Sequence, residues 1–224
     1  MGAMPEEIAP LLEKVENIKK IEYADNTYYE AEYEGKELVI AYSKIGKVFS
    51  SLTASILLEK FACKKLLFSG VAGAINPELK IGDLIIADKL CQHDLDISIF
   101  GHDFGYVPEG AKFVESDETL REIAKAVAKE NGLLLIEGTI ATGDQFVASN
   151  ERKTFIANHF QADALEMEGA SVAVVCDALN VPFFVLRAIS DTANDDAGMD
   201  FDTFMVSSAK ISASFILDMV EKID

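Results

Sequence analysis

Arginine is scarce in this sequence: Arg121, Arg152 and Arg187 are the whole complement, and the first of them lies past the midpoint of 224 residues. Without guanidinium forks the first half has no ready bidentate site for phosphate, and Lys44 and Lys47 are the only basic residues in the turn that starts at Ser43. Positive charge is short throughout, with 20 Lys and Arg against 38 Asp and Glu and a formal charge of -18. Such a surface repels phosphate backbones and anionic lipid, which argues against nucleic-acid and membrane partners and favours a small neutral or cationic ligand. Cysteine is limited to Cys63, Cys91 and Cys176, widely spaced and without a CxxC pair, as expected for reduced thiols in a cytoplasmic protein. His93, His102 and His159 have no ligand spacing, so no metal is expected. Apolar runs such as Leu133 to Ile136 are too short to span a bilayer, and the N-terminus lacks the basic segment and apolar core of a secretory signal. No GxGxxG follows any strand, which counts against a nicotinamide dehydrogenase. No repeat, low-complexity tract or linker divides the chain, and residues 1–224 are read as one domain.

Short apolar strands alternate with amphipathic helices. Pro5 suits a first helical turn, followed by Ile8, Leu11, Leu12 and Val15 at helical spacing. β-rich runs over 27–33 and 37–42 flank Glu34-Gly35-Lys36 and predict a hairpin. Helices are expected over 47–60 and 118–131, after Asn150, from Gly169 and from Asp202. Strands are expected over 65–69, ending in Gly70-Val71-Ala72-Gly73, and over 83–87, 138–142, 164–166 and 183–189. The alternation predicts an α/β fold, a central twisted mixed sheet with helices on both faces, and polar chemistry beyond the carboxyl ends of strands.

Three places carry acids in unusual company. In Leu165-Glu166-Met167-Glu168-Gly169, two carboxylates stand where an apolar strand meets an apolar helix. Buried charge is costly without partners, so each acid either accepts hydroxyls of a ligand or caps the helix that follows. In Phe183 to Asp191, an apolar strand carries Arg187 inside it and Ser190-Asp191 at its exit. Arg187 in that setting implies a buried carboxylate partner. Asp191 reads either as a general acid with a pKa raised by desolvation or as a turn cap. Glu6 and Glu7, in the first turn after Gly2-Ala3-Met4, look on local grounds like ordinary dipole partners. Gly143-Asp144-Gln145-Phe146 sets an aromatic beside a turn, suited to stacking on a base or to packing in a lid.

Together, Gly2 to Glu7, Ser43 to Lys47, Gly70 to Gly73, Thr142 to Phe146, Glu166-Met167-Glu168 and Arg187 to Asp191 resemble the purine nucleoside phosphorylase/hydrolase superfamily. More closely, the chain is similar to the 5′-methylthioadenosine/S-adenosylhomocysteine nucleosidases, from Gly2 to the last helix. The His93-Asp94-Leu95-Asp96 stretch and the Ser43 to Val48 region look most like homologues that also cleave 6-amino-6-deoxyfutalosine, an intermediate on a menaquinone route. The resemblance implies hydrolysis of an N-ribosidic bond in methionine salvage, with adenine released and no cofactor. It implies Glu7 as the group that activates water and Asp191 as the acid at adenine, oriented by Ser190. Glu168 would hold the ribose hydroxyls, with Met167 beneath the sugar, Glu166 also at the substrate and Arg187 near Glu7. Phe146 would stack on adenine and the Val147 backbone would read its amino edge, while Met4, Ile45 and Phe201 line the wall for the thio substituent. Phe100, His102 and Pro108 match a loop that enters the partner subunit's site, which implies a homodimer.

The chemistry is consistent with those residue types. When an N-ribosidic bond breaks, the sugar becomes oxocarbenium-like and the base takes the electron pair. A protonated carboxyl serves the base, and ionised ones serve the cation and the water. Phosphorolysis would need fixed cationic donors near the glycine turns, and Gly2 to Glu7 contains none. A non-catalytic nucleoside binder would have no use for both Glu7 and Asp191. One departure stands out: the family usually has a strand immediately before the Gly-Ala-Met turn, and here Met1 occupies that place.

Overall fold

Pro5 fixes the first turn of α1 (Pro5–Leu12), which buries Glu7, Ile8 and Leu11. An antiparallel sheet follows: β1 (Glu16–Tyr23), β2 (Asn26–Tyr33) and β3 (Lys36–Ala41), with Tyr29 opposite Ile40 and Tyr33 opposite Lys36. Next come α2 (Lys47–Glu59), β4 (Leu66–Ala74), β5 (Leu84–Gln92) and a 3₁₀ turn, Ser98–Phe100. The remaining elements are β6 (Val114–Glu115), α3 (Glu118–Asn131), β7 (Leu135–Thr142), α4 (Asn150–Phe160), β8 (Ala164–Glu166), α5 (Gly169–Ala178), β9 (Phe183–Asp191) and α6 (Ala197–Lys222). This computed structural model describes residues 1–194 and 196–223.

The main sheet is mixed, in the order β6-β5-β7-β8-β4-β9. It differs from an open sheet because β9 also pairs antiparallel with β5, Leu84 opposite Ala188 and Ile86 opposite Leu186. The strands from β5 round to β9 therefore close on one another, which removes two edges that would otherwise be unpaired. Helices cover both sides. α1, α3 and α6 pack together on one, and α2 lies against α5 on the other. Each side has its own apolar cluster, Leu84, Ile86, Phe184 and Leu186 on the first and Phe68, Ile85, Ile140 and Val185 on the second. α6 is long and apolar enough to cross a membrane by length and composition, but half of its most apolar window is buried inside the fold. It is a core helix here.

Met1 and Gly2 wedge between the two sheets. Met1 N donates to Leu67 O at 2.9 Å and Met1 O accepts from Ser69 N at 3.0 Å, while Gly2 N donates to Ala41 O at 3.0 Å. Beyond Met1 the same slot runs on as a groove of about 880 Å³, walled by Leu38, Ile40, Leu57, Leu66 and Ile216. The terminal ammonium sits inside it, its pKa lowered to about 6 chiefly by burial. An amine that must give up its proton to sit in this slot is a poor occupant, whereas a peptide N–H would donate to Leu67 O with no ionisable group to desolvate. We propose that the groove fits one more strand, running on from Met1. Joining an apolar segment of roughly five or six residues to Met1 should raise the melting temperature by several degrees. An unchanged melting temperature would show that the slot is satisfied as it stands.

Candidate active site

Glu7 is pulled into the fold by contacts far from its own helix. Its Oε2 accepts from Ala3 N at 2.5 Å and Met4 N at 3.1 Å, and its Oε1 accepts from Val71 N at 3.1 Å, 64 residues away. Only 3% of it is exposed, and burial raises its pKa against the opposing pull of the Arg187 charge and the three N–H donors. The strand beside it makes room. A Cβ added at Gly70 would lie 2.6 Å from Glu7 Oε1, and one added at Gly73 would lie 2.6 Å from Asp191 Oδ1. In a regular strand residues 70 and 73 point to opposite faces, and a register irregularity falls between Ala72 and Gly73. The two glycines, expected to mark a strand's end, instead lie inside β4, and each leaves space for a carboxylate.

Asp191 ends β9. Ser190 Oγ donates to its Oδ2 at 2.9 Å and Ala193 N donates to its Oδ1 at 2.9 Å. These bonds close a local turn, and burial raises the pKa of Asp191, the direction a general acid requires. Facing it, Asp200 of α6 pushes the same way and Lys153 of α4 opposes.

The Glu166-Met167-Glu168 segment divides into two functions. Glu166 Oε2 accepts from Glu168 N at 3.1 Å, Gly169 N at 2.7 Å and Arg187 Nη2 at 2.6 Å, and its Oε1 accepts from Thr142 Oγ1. With both oxygens engaged within the protein, Glu166 anchors the start of α5. Arg187 is 1% exposed, lies over the Phe68 ring at 4.1 Å and has the carboxylate partner its place in an apolar strand required. It influences Glu7 through its charge, its hydrogen bonds going to Glu166, Phe68 O and Leu186 O. Glu168 uses Oε1 to accept from Gly46 N at 2.8 Å, which leaves Oε2 uncommitted among the described residues. Burial, then the Glu166 charge, pushes its pKa upward.

The remaining expected residues differ in exposure, and one pair of them meets. Phe146, half-exposed, meets Phe201 of α6 edge-on at 5.6 Å between ring centroids. Val147 is buried, Met4 and Met167 are half-buried, and Ile45 is exposed beside Val48, Phe49 and Leu52. Phe100, His102 and Pro108 stand exposed on the loop after β5, with His102 stacked on Tyr106. Sequence reasoning missed Thr142, which accepts from Ala170 N at 2.8 Å and donates to Glu166, and the clasp made by Lys47, Asp94 and Asp144. There, Lys47 Nζ donates to Asp94 Oδ1 at 2.7 Å, Asp144 N donates to Asp94 Oδ2 at 2.8 Å, and Lys47 N donates to Asp144 Oδ1 at 2.8 Å. It also missed what encloses His93, a buried imidazole against Gly143 whose pKa falls to about 4 through burial and the Arg152 charge. Among the described residues no group of His, Cys, Asp and Glu side chains could hold a metal ion.

Known proteins share this arrangement of chain. The phosphorylase superfamily matches residues 1–221. An aminodeoxyfutalosine nucleosidase of Campylobacter jejuni is 58% identical over 100% of this chain and 97% of its own length. A 5′-methylthioadenosine/S-adenosylhomocysteine nucleosidase of Shewanella sediminis is 36% identical over 100% and 98%. Among solved structures, a mutant nucleosidase of Helicobacter pylori with 5′-methylthioadenosine in its active site superposes with a TM-score of 0.98 at 48% identity, covering 99% of this chain and 96% of that one. A family match over nearly the full length, with relatives this similar, places the chain in the phosphorylase superfamily, among its nucleosidases.

Proposed function

We propose that this chain hydrolyses the N-ribosidic bond of adenine nucleosides altered at the 5′ carbon. The substrates are 6-amino-6-deoxyfutalosine, 5′-methylthioadenosine, S-adenosylhomocysteine and 5′-deoxyadenosine. The observation that carries the reading is the pair of buried carboxylates, Glu7 and Asp191, each seated beside a glycine of the same strand and each raised in pKa by burial. Asp191, protonated, gives its proton to the imidazole-edge nitrogen of adenine as the bond from the sugar breaks and its electron pair passes to the base. Water adds to the cationic sugar carbon and its proton goes to ionised Glu7. The open oxygen of Glu168 accepts from the ribose hydroxyls, with Met167 beneath the ring. Phe146 stacks on adenine, the Val147 backbone meets the amino edge, and Met4, Ile45 and Phe201 line the 5′ wall. Glu166, Arg187 and Ser190 hold these groups in place. Relatives 58% and 49% identical are named for aminodeoxyfutalosine, and solved structures at 58% and 49% are named for methylthioadenosine and S-adenosylhomocysteine, which supports action on both kinds of nucleoside and a place in menaquinone synthesis beside methionine salvage. The site of action is the cytoplasm, and no cofactor takes part.

In phosphate-free buffer the purified protein should release free adenine from each nucleoside. A strict requirement for phosphate, with a sugar phosphate as product, would replace hydrolysis by phosphorolysis.

The active unit is a homodimer. Ile45 just before α2 and Val48, Phe49 and Leu52 on it expose an apolar stripe, and Phe100 is 77% exposed on its loop, a surface that suits burial against a second copy. Phe100, His102 and Pro108 would then complete the partner's 5′ wall. Sedimentation at micromolar concentration should show a dimer, and Phe100→Ala should raise KM. A stable, fully active monomer would refute this.

A further inference from the structure

Lys153 is placed where a cation is disfavoured. It lies in the first turn of α4, behind the Ser149 N-cap, where the helix dipole presents its positive end. Its side chain is half-buried, and burial lowers its pKa. Two contacts offset these costs. Its Nζ donates to Thr192 O at 2.7 Å, the carbonyl immediately after Asp191, and the charge of Asp191 favours its protonated form. Among the described residues that act on Asp191, Lys153 is the one cation. Ser190 Oγ and Ala193 N donate to it, Gly73 of β4 packs against it without charge, and Asp200 of α6 repels it.

We propose that Lys153 is a positioning residue for bond cleavage: it ties the Asp191-Thr192 exit to α4 and supplies the counter-charge that Asp191 needs once its proton has gone to the base. The inference rests on the reading of Asp191 as the general acid. An acid in an apolar setting holds its proton well but becomes a costly anion on releasing it. A single cation set back at the next carbonyl stabilises that anion without forming the direct pair that would ionise the acid beforehand. The balance makes Asp191 a stronger acid than burial alone would leave it, and its proton then passes to the leaving adenine at lower cost.

The test is the pH profile of kcat/KM for Lys153→Met, Lys153→Gln and Lys153→Arg, with Asp191→Asn measured alongside. Activity requires protonated Asp191, so the alkaline limb follows its ionisation. Removing the cation in the Met and Gln variants should move that limb to higher pH and lower the plateau about tenfold. The Arg variant should return the limb toward its original position. If the Met variant does not fold, the Gln and Arg pair makes the same comparison. An unmoved limb in the neutral variants, with Asp191→Asn inactive, overturns the role of Lys153 alone. Near-normal turnover in Asp191→Asn overturns the general-acid reading beneath it.

Discussion

Asp191→Asn should lower turnover by roughly two to four orders of magnitude while leaving nucleoside binding nearly intact. The substitution is close to isosteric. The amide oxygen keeps the bond from Ala193 N, and the amide nitrogen donates to Ser190 Oγ, whose hydroxyl turns to suit. What is lost is the transferable proton. The same change should stabilise the protein at alkaline pH. A carboxyl whose pKa is raised on folding binds its proton more tightly in the folded than in the unfolded chain. Stability therefore falls as pH rises from the unfolded pKa towards the folded one. Asparagine removes that penalty, so the variant should melt at an equal or higher temperature than the parent above neutral pH. Turnover near the parent's would reassign Asp191 to its turn, and a marked drop in melting temperature would show that its charge supports the fold.

Glu7→Gln should cost at least about a hundredfold in turnover, because an amide cannot take the proton from water. It also disturbs the seat of the side chain. Three N–H groups point at the two carboxylate oxygens, and glutamine offers one oxygen and one donor. With its oxygen facing Ala3 N and Met4 N, its nitrogen confronts Val71 N, at a cost of about 1 kcal/mol. Relief of the buried charge opposes this loss, so stability should change little and activity greatly. Gly70→Ala offers an independent check, since its Cβ would meet Glu7 Oε1 at 2.6 Å and displace it. Kinetics of both variants, with circular dichroism to confirm folding, give the comparison. Activity within about threefold of the parent in Glu7→Gln would remove it from the reaction.

The sequence made the alternation of strands and helices legible because most elements bury one clean face. The bounds of α3 were readable to the residue: Asp117 caps its start by accepting from Leu120 N, and Gly132 takes the left-handed turn at its end. β1 escaped notice for the opposite reason. Its residues, Glu16 to Tyr23, are nearly all exposed, so no period of two is written into them. α6 begins at Ala197, ahead of the expected Asp202, through a turn with no side-chain cap to announce it. Closure of the main sheet depends on β5 meeting β9, some hundred residues on, and no local pattern encodes it.

Within the site, Asp191, Glu168 and Arg187 drew attention because charge in apolar company needs a partner or a purpose. Glu7 did not. Its helix-start position explained it locally, and only contact with Val71 across the fold separates it from Glu6. The resemblance to nucleosidases, and not local physics, is what singled Glu7 out. Gly70 and Gly73 were the missed signal, because glycine inside an apolar strand marks a close approach, here of a carboxylate in each case.

On the proposed mechanism this pair of carboxylates directs water, and no other nucleophile, to the sugar. Carrying out the reaction in ¹⁸O-enriched water with saturating inorganic phosphate present tests it most directly, with the sugar product read by mass spectrometry as soon as it forms. Free adenine and a free sugar carrying one oxygen from the solvent are expected, at a rate unaffected by phosphate. A sugar 1-phosphate without solvent label would contradict it.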